Sequence, residues 1–398
     1  MSTRLAERLS VIQPSATLAV AARAAALRAQ GRKIYPFSVG EPDFPTPAHI
    51  CEAAKRAIDG GQHRYTAVSG TPELRKAIAA ESVRRRGSAC VPSQGVGSVG
   101  ATLALFSLAL ALYEPGDEVI IPAPYWVSYP EQVRIVGATP VIAETREDEG
   151  WLLRPNALDA LLNAKTKAII LCTPSNPTGS AYTEAQLRGL LEVLESRSAD
   201  APCWLIVDEI YASLVYDGFK QVSSLTLASE KLRERILVVD GVSKSYAMTG
   251  WRIGWSITPP AIAKALDVVQ GQSTTNPTSI AQAAALAALT GPQDSIEAMR
   301  QRFETRRVRM VEGLRTIPGV KCRNPEGAFY AFADVRGLYG LKSERIDGGV
   351  VRDDLDVAKL LIEEAGCAAV PGTSCGAPGY MRFSYATSET DIDEGIAA

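Results

Sequence analysis

The chain has 398 residues, 46% of them hydrophobic and 22% charged, which is enough apolar material for a large buried sheet and enough length for more than one domain. A formal net charge of -2 excludes the basic face that a nucleic-acid partner requires, and no apolar run reaches membrane-spanning length. The seven cysteines contain no CxxC pair and the only histidines are His49 and His63, so a zinc centre, a disulfide framework and a histidine-based triad are all disfavoured.

The opening residues Met1 to Arg8 carry charges where a signal peptide needs its apolar core, which predicts a cytoplasmic protein. Residues 4 to 31 carry helix-forming Ala, Leu and Arg, interrupted at Pro14 and stopped by Gly31. Ile34 to Val39 is expected as a short strand before the proline-rich turn Gly40 to Pro47, which marks a boundary. From residue 48 onward helical segments alternate with short apolar runs: Val119 to Ile121, Thr139 to Ile142, Ala168 to Cys172, Trp204 to Val207, Ile236 to Val239 and Arg252 to Ile257. Runs apolar on both faces fit buried strands, and the alternation predicts an α/β fold, a mostly parallel sheet between two helix layers.

After Pro292, Ser295 to Gly313 is expected as an exposed helix. Strands at Val320 to Arg323, Ala328 to Asp334, Cys367 to Val370 and Met381 to Ser384, with a helix at Asp354 to Ala365, then predict a small α+β domain. The expected division is 1–45 as an N-terminal arm that joins the small domain, 46–291 as the large domain and 292–398 as the small domain.

The segment Gly241-Val-Ser-Lys-Ser-Tyr-Ala-Met-Thr-Gly-Trp-Arg-Ile-Gly254 places Lys244 on a turn directly after a buried strand. Partial desolvation favours the neutral amine, the form that attacks a carbonyl carbon, so Lys244 reads as a Schiff-base lysine. Ser243 and Arg252 beside it suit a phosphate dianion, and a phosphate next to a captured aldehyde describes pyridoxal phosphate. Asp208 and Tyr211 end another strand, where open α/β sheets place ligands. A carboxylate there keeps a pyridine nitrogen protonated, and Tyr211 is suited to donate to the ring's phenolate oxygen. Asn176, in Thr173-Pro-Ser-Asn-Pro-Thr-Gly179, is suited to donate to the same oxygen, and its peptide bond to Pro177 is a candidate for the cis form. Trp126, in a third loop of this kind, offers a face to stack on the ring.

Gly95-Val-Gly97-Ser-Val-Gly100 matches the dinucleotide pattern GxGxxG, but Glu118 precedes its apolar run where a ribose-binding acid should end a strand. Only the end of the run is used in our reading: Gly100, Ala101 and Thr102 open an apolar helix whose first N–H groups can cradle a phosphate.

In order, Gly40-Glu-Pro-Asp-Phe44, Tyr65, Pro124-Tyr-Trp-Val-Ser-Tyr129, Ser175-Asn-Pro-Thr-Gly179, Asp208-Glu-Ile-Tyr211, the Lys244 segment, Gly327-Ala-Phe-Tyr330 and Arg382-Phe-Ser-Tyr-Ala386 resemble the class I aminotransferases of pyridoxal phosphate fold type I, in particular the bacterial aspartate aminotransferase subgroup. The resemblance spans nearly the whole chain. It implies that Lys244 bonds the cofactor and shuttles the proton, Asp208 pairs with the ring nitrogen, and Asn176 and Tyr211 bind the phenolate oxygen. It also implies that Arg382 grips the substrate α-carboxylate, with Gly40, Trp126 and Asn176 on the substrate side. Ser243, Arg252 and residues Gly100 to Thr102 would hold the phosphate, joined by Tyr65 reaching across a homodimer interface. The implied reaction passes an amino group from an L-amino acid to a 2-oxo acid, 2-oxoglutarate, in two half-reactions.

Two departures bear on the donor. Relatives of this subgroup often carry a lysine at the position of Thr102, and Gln270 to Thr275 holds no cation where a cross-subunit arginine would fall. An aromatic or other neutral donor, or prephenate, therefore competes with aspartate, and Arg23, Arg32 and Arg64 are the candidates for a replacement cation. Fold and lysine do not fix which bond at Cα breaks, so a lyase, decarboxylase or synthase stays open, with a nicotinamide-dependent oxidoreductase using Gly95 to Gly100 more remote.

Overall fold

The computed structural model describes residues 5–398. Met1 to Arg4, which include the first residue of the expected stretch 4–31, lie outside the described residues. Seven strands, β1 (Gly95–Ser98), β2 (Glu118–Ala123), β3 (Thr139–Glu144), β4 (Thr166–Cys172), β5 (Trp204–Asp208), β6 (Ile236–Gly241) and β7 (Gly254–Ile257), form one sheet in the order β1-β7-β6-β5-β4-β2-β3. The pairs from β6 to β3 are parallel, and β7 runs antiparallel to both β6 and β1.

The period of two along a strand sorts side chains to the two faces of this sheet. Ile169 and Leu171 of β4 pack with Leu187 and Leu190 of helix Glu184–Ser196 on one face. Ala168 and Ile170 pack with Leu105 and Leu108 of helix Gly100–Leu112 on the other. Both faces are covered, which is why these strands read as continuous apolar runs. The three-layer α/β/α arrangement expected from the sequence is therefore the fold.

A second, antiparallel sheet contains β8 (Lys321–Cys322), β9 (Tyr330–Asp334), β10 (Val370–Pro371) and β11 (Tyr380–Ser384), ordered β10-β11-β9-β8. The long helix Asp294–Thr316 buries Phe303, Met310 and Leu314 against it. Ala24 and Leu27 of helix Ala16–Ala29 join Ile34, Ile362 and Ala368 in a small cluster, so the start of the chain packs on its end.

Several local expectations need correction. Ile34 to Val39 is not a strand. Pro36 has no N–H to give a ladder, the Phe37 N–H folds back to the Tyr35 carbonyl, and only an isolated bridge between Tyr35 and Cys367 remains. The expected strand Cys367 to Val370 is replaced by the two-residue Val370–Pro371, because the Cys367 and Ala368 N–H groups go to the Leu361 and Tyr35 carbonyls instead. The stretch 4–31 divides into a single turn at Glu7–Leu9 and the helix from Ala16, whose cap Ser15 accepts the Leu18 N–H. Helix Asp354–Leu360 widens into a π turn at Leu361–Ala365 before Gly366 ends it at φ 70°. Strand β1 is an addition: its glycines hide the apolar pattern, yet all four residues are buried. The expected strand Arg252 to Ile257 begins only at Gly254, because Arg252 stands in the left-handed region at φ 56°.

Candidate active site

The carboxyl ends of β1, β2, β4, β5 and β6 lie on one edge of the sheet, with the start of antiparallel β7 among them. The loops that leave this edge close a cavity of about 360 Å³. Its lining includes Gly40, Ala101, Thr102, Trp126, Asn176, Asp208, Tyr211, Ser243, Lys244, Arg252 and Arg382, all singled out in the sequence. Two of the expected residues are not in that lining. Gly100 sits directly behind Arg252, and Tyr65 is 87% exposed on the surface.

Lys244 follows β6 on the short helical turn Val242–Ser245, and its Nζ donates to the Gly40 carbonyl at 2.5 Å. Burial lowers its pKa to about 8, helped by Arg252 and Arg382 and opposed by Glu41. A substantial share of neutral amine is thus present near pH 8. Asp208 ends β5 in register with Cys172 and Val239. Its Oδ2 accepts from the Tyr129 hydroxyl at 2.7 Å and its Oδ1 from the Ile210 N–H at 3.1 Å. Burial nevertheless pushes the carboxyl up to about 6, so it is ionised at neutral pH and ready to pair with a cation.

Tyr211 and Tyr330 share a hydrogen bond at 2.9 Å, and burial raises both phenols, which keeps their protons on as donors. Arg382, on β11, donates to Asn176 Oδ1 and to the Ser38 carbonyl, each at 2.9 Å, and lies 4.6 Å over the Tyr330 ring. Its buried Nε has no partner among the described residues. The bond to Asn176 Oδ1 turns that side chain's NH₂ toward other acceptors. The Asn176-Pro177 bond is cis, as are Ala123-Pro124 and Thr173-Pro174.

The phosphate end is built by close backbone approach. A Cβ on Gly254 would fall 2.3 Å from the Ala101 nitrogen, so glycine there is what lets β7 start against the helix opening at Gly100. Gly100 stands at φ 79°, where a Cβ would meet the Arg252 guanidinium at 2.4 Å. The helix Gly100–Leu112 has no side-chain cap, leaving its first N–H groups free beside Ser243 and Arg252. A guanidinium, a hydroxyl and uncapped amides at one end, a buried acid at the other and a lysine between them fit pyridoxal phosphate. The glycine run is thus strand β1 plus one helix start, not a dinucleotide turn.

Sequence reading missed Tyr129 as the partner of Asp208, Cys172 on the floor, and Ser15, Thr17 and Leu18 at the rim. Tyr129 had a signal, its place three residues after Trp126 in a loop beyond a strand. The rim residues had none, because only tertiary packing brings helix Ala16–Ala29 to the cavity. Arg23 and Arg32 are removed as substitute cations, since both pair with Glu363.

A lysine opposite a buried acid at the carboxyl edge of such a sheet is the arrangement of the fold type I pyridoxal phosphate enzymes. The chain belongs to aminotransferase class I and II, whose profile matches residues 32–398, and its cofactor is pyridoxal 5'-phosphate. It is 43% identical over 391 residues to the aspartate aminotransferase of Rhizobium meliloti strain 1021, covering 98% of this chain and 94% of that protein. It is also 43% identical over 393 residues to the aspartate/prephenate aminotransferase of Cereibacter sphaeroides, covering 99% and 97%. The crystal structure of the aspartate aminotransferase from Rhizobium meliloti superposes with a TM-score of 0.94 at 42% identity, over 100% of this chain and 98% of that one. That of Thermus thermophilus with maleate superposes at 0.91 and 39%, over 99% and 98%. The protein is an aminotransferase, which settles the reaction against the lyase, decarboxylase, synthase and nicotinamide readings.

Proposed function

We propose that the enzyme moves the amino group of an L-amino acid with a neutral or aromatic side chain to a 2-oxo acid, by two half-reactions at one site. The observation that carries the donor class is the cation inventory of the cavity: among the described residues Lys244, Arg252 and Arg382 are the only cations in its lining, and each has another task. Thr102 leaves the wall that would face a distal carboxylate uncharged.

In this reading Arg382 binds the α-carboxylate with its fork and Trp126 covers the ring face. Ser243, Arg252 and the amides of Gly100, Ala101 and Thr102 hold the phosphate. When bound, pyridoxal phosphate supplies an aldehyde for the amine and a ring that accepts the electron pair released at Cα. Asp208 holds the proton on the ring nitrogen. Tyr211 and Asn176 donate to the phenolate oxygen. Lys244 would take the Cα proton and return it to the carbon that the aldehyde supplies, two bonds from Cα. Tyr65, 87% exposed and outside its own cavity, supports a homodimer in which it reaches the partner's phosphate. Two sheets with separate cores support the division into 1–45, 46–291 and 292–398. Seven free cysteines support a cytoplasmic location, and among the described residues no helix is long and apolar enough to cross a membrane.

Aspartate is the second reading, favoured by the names of the relatives and by Arg64, which is exposed beside Tyr65 and so suited to cross with it. The two are separated by kcat/KM for aspartate and phenylalanine. Lacking a distal cation, the native enzyme should favour phenylalanine, and Thr102→Lys should raise aspartate and 2-oxoglutarate by about ten- to a hundredfold, the worth of a hydrogen bond to a charged group. A native enzyme that strongly prefers aspartate, and loses that preference in Arg64→Ala, establishes the second reading instead.

A further expectation concerns pH. Covalent capture needs the neutral amine, so cofactor added to the apoprotein should bond to Lys244 faster as pH rises through about 8 and level off above it. Stopped-flow absorbance measures this, and a rate that falls over that range excludes Lys244 as the capturing amine.

A further inference from the structure

Successive residues at a strand end point to opposite faces, so Asp208 faces the cavity and Glu209, next in the chain, faces away from it. Behind the sheet edge Glu209 enters a buried cluster centred on Arg86, the last residue of helix Pro72–Arg86, whose side chain is only 2% exposed. Its Nε donates to Glu209 Oε2 at 2.6 Å, its Nη1 to Glu81 Oε2 at 2.8 Å and its Nη2 to Asp240 Oδ2. Arg85 adds bonds to Glu81 at 2.9 Å and Asp240 at 3.2 Å. The remaining Glu209 oxygen accepts from Ser223 at 2.7 Å, and Asp240 Oδ1 accepts the Gly241 N–H at 2.7 Å. One guanidinium thus bridges the ends of β5 and β6, one residue from Asp208 and four from Lys244.

A buried ion cluster is weak grounds for stability, because apolar packing often serves as well. Its place is informative. The titratable groups that bear on Asp208 are Tyr129 from helix Ser128–Ile135, Cys172 at the end of β4, Asp240 on β6 and Lys244. Tyr129 and Lys244 favour the carboxylate, whereas the charge of Asp240 favours its protonation.

We propose that Arg86 is a positioning residue for the acid: by tying Glu209 to Asp240 and neutralising Asp240, it keeps Asp208 an anion beneath the ring nitrogen. This rests on the assignment of Asp208 made above. With Arg86 gone, Asp240 would keep only Arg85, at 3.2 Å, so an anion at Asp208 would face a less screened Asp240 and the proton shared with the ring would shift toward the carboxylate.

The test uses holoenzyme loaded with cofactor labelled with nitrogen-15 in the ring, read by NMR without substrate. Arg86→Met should move the ring-nitrogen signal toward that of neutral pyridine and slow single-turnover Cα proton transfer by about tenfold or more, the equivalent of one pH unit. Arg86→Lys should restore both. Folded Arg86→Met with a native signal overturns the proposal. Should that variant not fold, two double variants decide. Arg86→Met with Asp240→Asn and Arg86→Met with Glu209→Gln each remove one cation and one anion, but only the first removes the charge that acts on Asp208. The first should give the native signal and the second a displaced one; signals that agree overturn the proposal. Asp208→Asn is the reference. If it leaves the signal unchanged, the assignment of Asp208 falls and the proposal with it. If it displaces the signal while Arg86→Met does not, Arg86 alone is misassigned.

Discussion

Lys244→Ala should abolish turnover while leaving a folded protein that holds its cofactor without a covalent bond. Positioned acid–base groups supply about 10² to 10⁴ in rate, and in the proposed reading Lys244 is also the capturing nucleophile, so the loss should exceed the upper end of that range. Retained cofactor follows from the phosphate end, where Ser243, Arg252 and the amides after Gly100 do not depend on the lysine. Removing the side chain deletes a 2.5 Å bond to the Gly40 carbonyl and a desolvated amine. The folded state should therefore suffer little, which a thermal melt would show. Borohydride reduction followed by peptide mass spectrometry should place the pyridoxyl adduct on Lys244 in the native enzyme and nowhere in the variant. An adduct on another lysine refutes the assignment.

Much of this site was legible because its parts follow strands. Buried parallel strands are short apolar runs, the edge at their carboxyl ends is where ligands sit, and the residues just after Cys172, Val207 and Val239 are polar where a simple turn needs only Gly or Asn. Asn176, Asp208, Tyr211 and Lys244 were found by that argument, and the structure brings their side chains to one cavity. What escaped was set by tertiary contacts. Strand β1 is too short and too glycine-rich to show a period, and its burial comes from β7 and the helices around it. Ile34 to Val39 has the composition of a strand, but Pro36 lacks the N–H a ladder needs. The Tyr129 bond to Asp208 spans 79 positions, and the Arg86 bond to Asp240 spans 154; no local pattern encodes either. Arg23 and Arg32 looked like candidate cations until Glu363, more than 300 positions away, was seen to hold both.

Asp208→Asn keeps the size of the side chain and the Tyr129 contact but removes the charge that, in the proposed reading, holds a proton on the ring nitrogen. Electron withdrawal by that nitrogen matters as Cα gives up its proton, not when substrate docks, so the effect should fall on the chemical step. The α-carboxylate still meets Arg382, whose bonds to Asn176 and Ser38 do not involve Asp208. Substrate affinity should stay within a few-fold of native, while single-turnover Cα proton transfer slows by on the order of 10² to 10³, as when one preorganised charge or dipole is deleted. The pH dependence gives a second signature. Without cofactor Asp208 is ionised above about 6, and a protonated ring nitrogen beside it lowers that value further, so native activity should decline only at pH below about 6. In Asp208→Asn that limb should be missing, because no proton is left for the residue to gain. Weakened binding with an unchanged proton-transfer rate, or an acid limb that persists in the variant, assigns Asp208 a structural task and moves the partner of the ring nitrogen elsewhere in the cavity.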